Sequence, residues 1–333
     1  MQPFRALRHT SRAMSTFPKH FLSTDQLTPA QFQGLINTAA EFKKHNINTD
    51  LLKNETLLMI FQKRSTRTRL STEIGMQRLG GRALFLSSDD IQLGVNESLK
   101  DSAHVMSRFG SALLARVYGH ASVVELAQEA SVPVINALSD KYHPLQALAD
   151  YLTVQEHFGS VKGLTLAWVG DGNNVLHDYM LAAPLMGANI RIATPTGYDA
   201  APDVIAKCQK LAKAAGTSVF LTTDPVEAVK GAHVIATDTW VSMGQEDEAK
   251  KRIADFDGYQ VTKKMLEHAA SDHIFLHCLP ATRKRSTTKS SMAIAPRSGT
   301  KPKTACGQLW PSWPSFSRRS KAVLASSVVV LSH

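Results

Sequence analysis

Six short stretches carry polar side chains in patterns that could do chemistry. The densest is Ser65-Thr66-Arg67-Thr68-Arg69, which comes shortly after the apolar run LLMIF (57–61). Ser65 and Thr66 are helix-cap types, and TRLSTEIGMQRLG reads as the helix they open. Hydroxyls and arginines at a helix N-terminus make an anion site. The unpaired backbone N–H groups and the helix dipole both favour a phosphate there. Arg67 and Arg69 can add charged, bidentate hydrogen bonds.

The other five are sparser. Arg116 closes the run ALLARV, where a guanidinium would sit on the rim of a sheet. In HPLQ (143–146) Pro144 suits the first position of a helix, which puts His143 at the cap and Gln146 one turn on, on the same side. GDGNN (170–174) presents Asn173 and Asn174 after another apolar run. DTWVSMG (238–244) offers Asp238, Ser242 and Met243, and HCLP (277–280) sets Cys278 between His277 and Leu279. A buried cysteine is commonly a small hydrophobe, but one close to a carboxylate and an imidazole is a candidate nucleophile. Two familiar phosphate motifs are missing: there is no GxxxxGK loop, and GDGNNV lacks the third glycine of a dinucleotide fingerprint.

The elements that must position these groups are legible as an alternation. Nine short apolar runs, at 57–61, 83–87, 112–117, 133–137, 165–170, 190–195, 218–223, 233–238 and 274–279, read as strands. Amphipathic segments lie between them: AQFQGLINTAAEFKKH behind Thr28-Pro29, VVELAQEA, LHDYMLAAPLMG, and PDVIAKCQKLAKAAG ending on a glycine. Such alternation predicts βαβ units and parallel sheets. Nine strands are many for one open sheet in a chain of 333 residues. The helical pattern PLQALADYLTVQEHFG (144–159) divides them into four and five. The predicted fold is therefore α/β, with two doubly wound parallel-sheet domains joined by an interdomain helix. The boundaries fall at 24–150 and 151–280, with the polar groups at the carboxyl ends of the strands, where ligands sit in open α/β sheets.

Composition narrows the function classes. Ten of the 38 basic residues lie in 281–333, which contains no Asp or Glu, so positions 1–280 carry 28 of each sign. The net charge of +10 belongs to the tail, and a neutral body gives no basic stripe for nucleic acid. No run of eighteen apolar residues exists, so no membrane-spanning helix is expected. Three cysteines, Cys208, Cys278 and Cys306, are too few and scattered for a disulfide framework. Arg5, Arg8, Arg12 and Lys19, with no acid before Asp25, fit a mitochondrial transit peptide over 1–23 and a location in the mitochondrial matrix.

Taken together, the stretches STRTR, Arg116, HPxQ, GDGNN, DxxxSMG and HCLP resemble the aspartate/ornithine carbamoyltransferase family over residues 24–280. STRTR and HPxQ are common to both branches of that family, whereas DxxxSMG and HCLP point to the ornithine branch. The resemblance implies transfer of the carbamoyl group of carbamoyl phosphate to the δ-amino group of L-ornithine, giving L-citrulline and phosphate. It implies a carbamoyl-phosphate-binding first domain and an ornithine-binding second domain. Ser65, Thr66, Arg67 and Thr68 would hold the phosphate. Arg116 and His143 would polarise the carbonyl, and Gln146 would orient the carbamoyl NH2. Leu279 would complete that site with Cys278. Asn174, Asp238, Ser242 and Met243 would hold ornithine, with Cys278 and Asp238 beside the attacking amine. It implies a homotrimer in which a neighbour's Gln92 completes the site, and no metal or organic cofactor.

After Pro280 the resemblance is not carried on. The family continues with an acidic segment, helices that pack onto the first domain and a further phosphate-contacting arginine, whereas 281–333 is a basic, Ser/Thr-rich tail with WPSWPS (310–315) where a helix belongs. A shifted reading frame would give such a tail. Two other functions therefore stay open: a carbamoyltransferase for another amino acid or amine, and an inactive carbamoyl-phosphate-binding protein.

Overall fold

The computed structural model describes residues 17–46, 48–87, 91, 96–241 and 246–277. In it all nine predicted strands form, in two wholly parallel sheets. The first contains β1 (Thr56–Phe61), β2 (Arg82–Ser87), β3 (Ala112–Arg116) and β4 (Val134–Leu138), in the order β2-β1-β3-β4. The second contains β5 (Thr165–Val169), β6 (Asn189–Ala193), β7 (Val219–Thr222), β8 (Val234–Thr237) and β9 (Ile274–His277), in the order β7-β6-β5-β8-β9. Each order reverses once, between β1 and β3 and between β5 and β8. Those two gaps are the switch points at which a parallel sheet opens a crevice at its carboxyl edge.

Helices cover both faces, as a parallel sheet requires. In chain order they are α1 (Pro29–His45), α2 (Thr66–Arg78), α3 (Leu99–Phe109), α4 (His120–Glu129), α5 (Pro144–Phe158), α6 (Asn174–Leu185), α7 (Pro202–Ala215), α8 (Pro225–Val229), α9 (Ala249–Asp255) and α10 (Lys263–Leu266). The sequence reading did not mark α3, nor the short α8 to α10. Local chemistry explains the starts: Thr28 and Gln31 form a reciprocal capping box ahead of Pro29. Asp224 accepts from the N–H groups of Val226 and Glu227. Pro184 lies inside α6 and cannot donate to the Met180 carbonyl; the Cys208 thiol of α7 donates to it instead, Sγ to O 3.0 Å. Burial pushes that thiol up to about 12, so Cys208 is a packing group rather than a nucleophile.

One apolar cluster runs from α1 and the inner face of the first sheet, through α5, to α6, α7 and the inner face of the second. Separate clusters under α3 and α4, and under α8 to α10, cover the outer faces. The interdomain helix α5 is thus common core, with Tyr151 fully buried and its hydroxyl donating to the Tyr179 carbonyl at 2.8 Å. The N-terminal side holds a difference from expectation. Phe17, Phe21 and Leu22 are buried, and Phe21 pairs with β4, its N–H donating to the Val134 carbonyl and its carbonyl accepting from Asn136. Residues Phe17, Phe21 and Leu22 thus pack into the fold although they lie inside the segment 1–23 assigned to a presequence.

Candidate active site

The polar groups gather at the two switch points. On the first sheet, Phe61 of β1 pairs with Arg116 of β3, and the backbone N–H of Gln62 donates to the Arg116 carbonyl at 2.9 Å. Chain 62–65 then leads into α2. Ser65 caps this helix, its hydroxyl accepting from the Thr68 N–H at 3.2 Å and lying 3.1 Å from the Thr68 hydroxyl. Thr66 and Arg67 are exposed in the first turn, beside a buried Thr68. Arg116 is buried at the strand end, with Nε donating to the Lys63 carbonyl at 3.2 Å. Burial, and after it the like charge of Arg67, pulls the Arg116 guanidinium down to about 10. Burial and Arg116 also lower the Lys63 ammonium. Cations held together against their mutual repulsion around a helix N-terminus are an arrangement that an anion would relieve.

Arg69 departs from the sequence reading. Its Nε lies 2.9 Å from Glu73, one turn on, and its guanidinium stacks 3.8 Å over the Phe85 ring. The (i, i+4) pair and the aromatic face of edge strand β2 engage it, whereas Arg67 stands exposed in the first turn of α2.

His143 occupies the cap position of α5, but its ring does not cap the helix. Its backbone N–H donates to Asp178 at 2.6 Å. Gln146, one turn on, donates its amide to Asp150 at 2.9 Å. Burial raises the Asp150 carboxyl to about 7; the Gln146 bond opposes that and the charge of Asp238 adds to it. Asp238 directly follows β8 of the second sheet.

On the second sheet, GDGNN turns from β5 into α6. Gly172 is held by its N–H to the Tyr198 carbonyl, and a Cβ there would lie 2.3 Å from the carbonyl carbon of Asp199, so only glycine fits. Asn173 caps α6, its side-chain oxygen accepting from Val175 and Leu176, while its Nδ2 donates to Asp238 at 2.9 Å across the β5–β8 gap. Asn174 reaches the other way, its Nδ2 donating to the Ser139 carbonyl of the first domain at 2.6 Å. Asp171 pairs with the buried Arg252, whose Nε also holds the Trp240 carbonyl at 2.6 Å. Burial raises Asp171 to about 6 against the pull of Arg252. His277 ends β9, paired with Thr237.

Ser65, Thr66, Arg67, Thr68 and Arg116 thus come together, and so do Asn173 and Asp238. Asn174, His143 and Gln146 line the seam between the two groups. Gln92, Ser242, Met243, Cys278 and Leu279 lie outside the described residues. Asp150 and Asp178 were missed. Their only sequence signal is spacing: each stands four residues after a polar group already singled out, Gln146 and Asn174.

Residues 19–156 match the family model for the aspartate/ornithine carbamoyltransferase carbamoyl-P binding domain. Residues 162–298 match that for the Asp/Orn binding domain, a match that runs past Pro280. The chain is 56% identical over 230 residues to the mitochondrial ornithine carbamoyltransferase of Aquarana catesbeiana, covering 69% of this chain and 66% of that protein. It thus spans just under two thirds of that relative's length. Against the ornithine carbamoyltransferase of Carboxydothermus hydrogenoformans it is 48% identical over 273 residues, covering 81% of this chain and 88% of that one. Among solved structures, the ornithine carbamoyltransferase of Pyrococcus furiosus superposes with a TM-score of 0.80 at 41% identity, over 94% of this chain and 96% of that one. With both domain models matched in order and the sheet switch points carrying the family's motifs, the chain belongs to the aspartate/ornithine carbamoyltransferase family.

Proposed function

We propose that the protein transfers the carbamoyl group of carbamoyl phosphate to the δ-amino group of L-ornithine, giving L-citrulline and phosphate. The observation that carries this reading is the pairing of two crevices. A cationic helix mouth at the β1–β3 gap is joined, through the Asn174 side chain on the Ser139 carbonyl, to a carboxylate and amides at the β5–β8 gap. One side suits a phosphate, the other an amino acid.

In this reading Ser65, Thr66, Arg67 and Thr68 take the phosphate oxygens, and the N-terminal dipole of α2 stabilises the charge that builds on the leaving group. Arg116 and His143 donate to the carbonyl oxygen as it becomes an oxyanion. Gln146 gives its NH2 to Asp150, which leaves its amide oxygen to accept from the carbamoyl NH2 and so fix the carbonyl plane. Asn174, Asp238, Ser242 and Met243 hold ornithine. The neutral amine attacks the carbonyl carbon, the C–O bond to phosphate breaks, and the proton lost by the amine passes to Cys278, aided by Asp238. We extend the proposal to a homotrimer whose neighbouring subunit supplies Gln92, to domains divided within α5 near residue 150, and to a mitochondrial protein whose presequence ends before Phe17. The basic N-terminus and two mitochondrial relatives, from Aquarana catesbeiana and Gallus gallus, support the last point.

The test is citrulline formation by the full chain with a panel of amine acceptors, beside Arg67→Ala. The expected outcome is turnover with ornithine over other amines, and a fall of about 10²-fold or more in R67A. A different preferred acceptor, or R67A as active as the wild type, would sink the reading.

A further inference from the structure

Three side chains on one face of α6, Asn174, His177 and Asp178, stand at i, i+3 and i+4, and all three grip the loop that joins β4 to α5. Asn174 Nδ2 donates to the Ser139 carbonyl at 2.6 Å. His177 Nδ1 lies 2.7 Å from the Lys141 carbonyl, while its Nε2 accepts from the Ala201 N–H at 3.0 Å. That pair of contacts assigns the neutral ring with the proton on Nδ1. The Asp178 carboxyl is fully buried and takes two backbone N–H groups, that of Thr24 on Oδ1 at 2.7 Å and that of His143 on Oδ2 at 2.6 Å.

A carboxylate is a costly group to bury, and two N–H donors are what make it tolerable. The N–H of a helix-cap residue has no partner within its own helix, so α5 needs an outside acceptor at His143. Here the acceptor comes from the other domain. The consequence is geometric: the height and tilt of the His143 backbone are set by α6, one turn from Asn174.

We propose that Asp178 is a positioning residue that acts through the backbone N–H of His143 to aim its imidazole at the carbonyl of the carbamoyl donor. This rests on the carbonyl-polarising role given to His143 above. Asp178→Asn sets an amide NH2 against one of the two N–H donors and so forces the loop to shift. A shift on the order of 1 Å at a polarising group can lower turnover as much as 10²-fold.

The experiment is a double-mutant cycle on the full chain with the substitutions Asp178→Asn and His143→Ala, read as kcat and KM for carbamoyl phosphate and ornithine, with thermal melts of each variant. D178N is expected to lower kcat by about tenfold or more while KM for carbamoyl phosphate stays within about threefold, since the α2 site is untouched. In the H143A background D178N should change kcat less than about twofold, because the group it aims is gone. An equal fold loss in both backgrounds, or an effect confined to KM for ornithine, would overturn the positioning role and leave the transfer reaction standing. H143A as fast as the wild type would overturn it as well. A wild type that forms no citrulline would instead overturn the functional reading itself, and this inference with it. Asp178→Ser is the second variant should D178N not fold; failure of both to fold would assign Asp178 a structural role alone and reject the proposal.

Discussion

Arg116 is where residue-scale physics is plainest. Its side chain is buried at a strand end, held by the Lys63 carbonyl and pressed by a second guanidinium, yet at about 10 it stays charged at neutral pH. A lysine there would keep the charge but lose the planar fork that allows one face to bind Lys63 while another meets an oxyanion. Arg116→Lys is therefore expected to lower kcat by about 10²-fold, the cost of one missing oxyanion donor, with little change in thermal stability. Steady-state citrulline assays and melting curves check both halves. Near-wild-type kcat in R116K would show that charge alone suffices.

At the scale of elements, the turn between β5 and α6 concentrates the risk. Gly172 has no room for a Cβ, its neighbour Asn173 caps α6 and holds Asp238, and Asn174 crosses to the first domain. Gly172→Ala must push the turn off the Asp199 backbone, an overpacking that costs about 1–3 kcal/mol. The displaced asparagines make a second effect follow, a rise in KM for ornithine larger than that for carbamoyl phosphate. A lowered melting temperature with both KM values unchanged would separate packing from function and contradict this account. The caps, by contrast, were readable directly: Thr28-Pro29, Ser65 and Pro144 open helices where their types say they should.

Across the described residues, one apolar cluster continues through α5 from the first sheet to the second, with the half-buried Asp150 and the buried Asp178 beside it. Asp150 and Asp178 are both raised to about 7, by burial first, from an ordinary 3.8. The folded state thus binds protons that the unfolded chain has released. The stability they contribute is fully present below pH 3.8 and lost as pH rises through about 7. Asp150→Asn keeps the acceptor for Gln146 and removes the charge. D150N should therefore melt above the wild type at pH 8, with the gap narrowing toward pH 5. A gap that widens on acidification would reverse the sign and place the carboxylate, not the acid, as the favoured form.

The nine strands, the division by the helix at 144–158 and the start of the helix that Ser65 caps follow from the sequence alone. These are local matters: apolar runs bounded by turn residues, caps at helix starts, and hydroxyl and arginine types at one helix mouth. Strand order was decided only in three dimensions. Nothing along the chain says that β3 crosses to lie beside β1, or β8 beside β5, and it is those two crossings that bring Arg116 to Arg67 and Asp238 to Asn173. The fate of Arg69, drawn to Glu73 and Phe85, was likewise hidden, because edge strand β2 meets α2 only after folding. Asp150 and Asp178 read as ordinary polar positions on amphipathic helices until the two domains pack together and remove the water that would have kept them acidic.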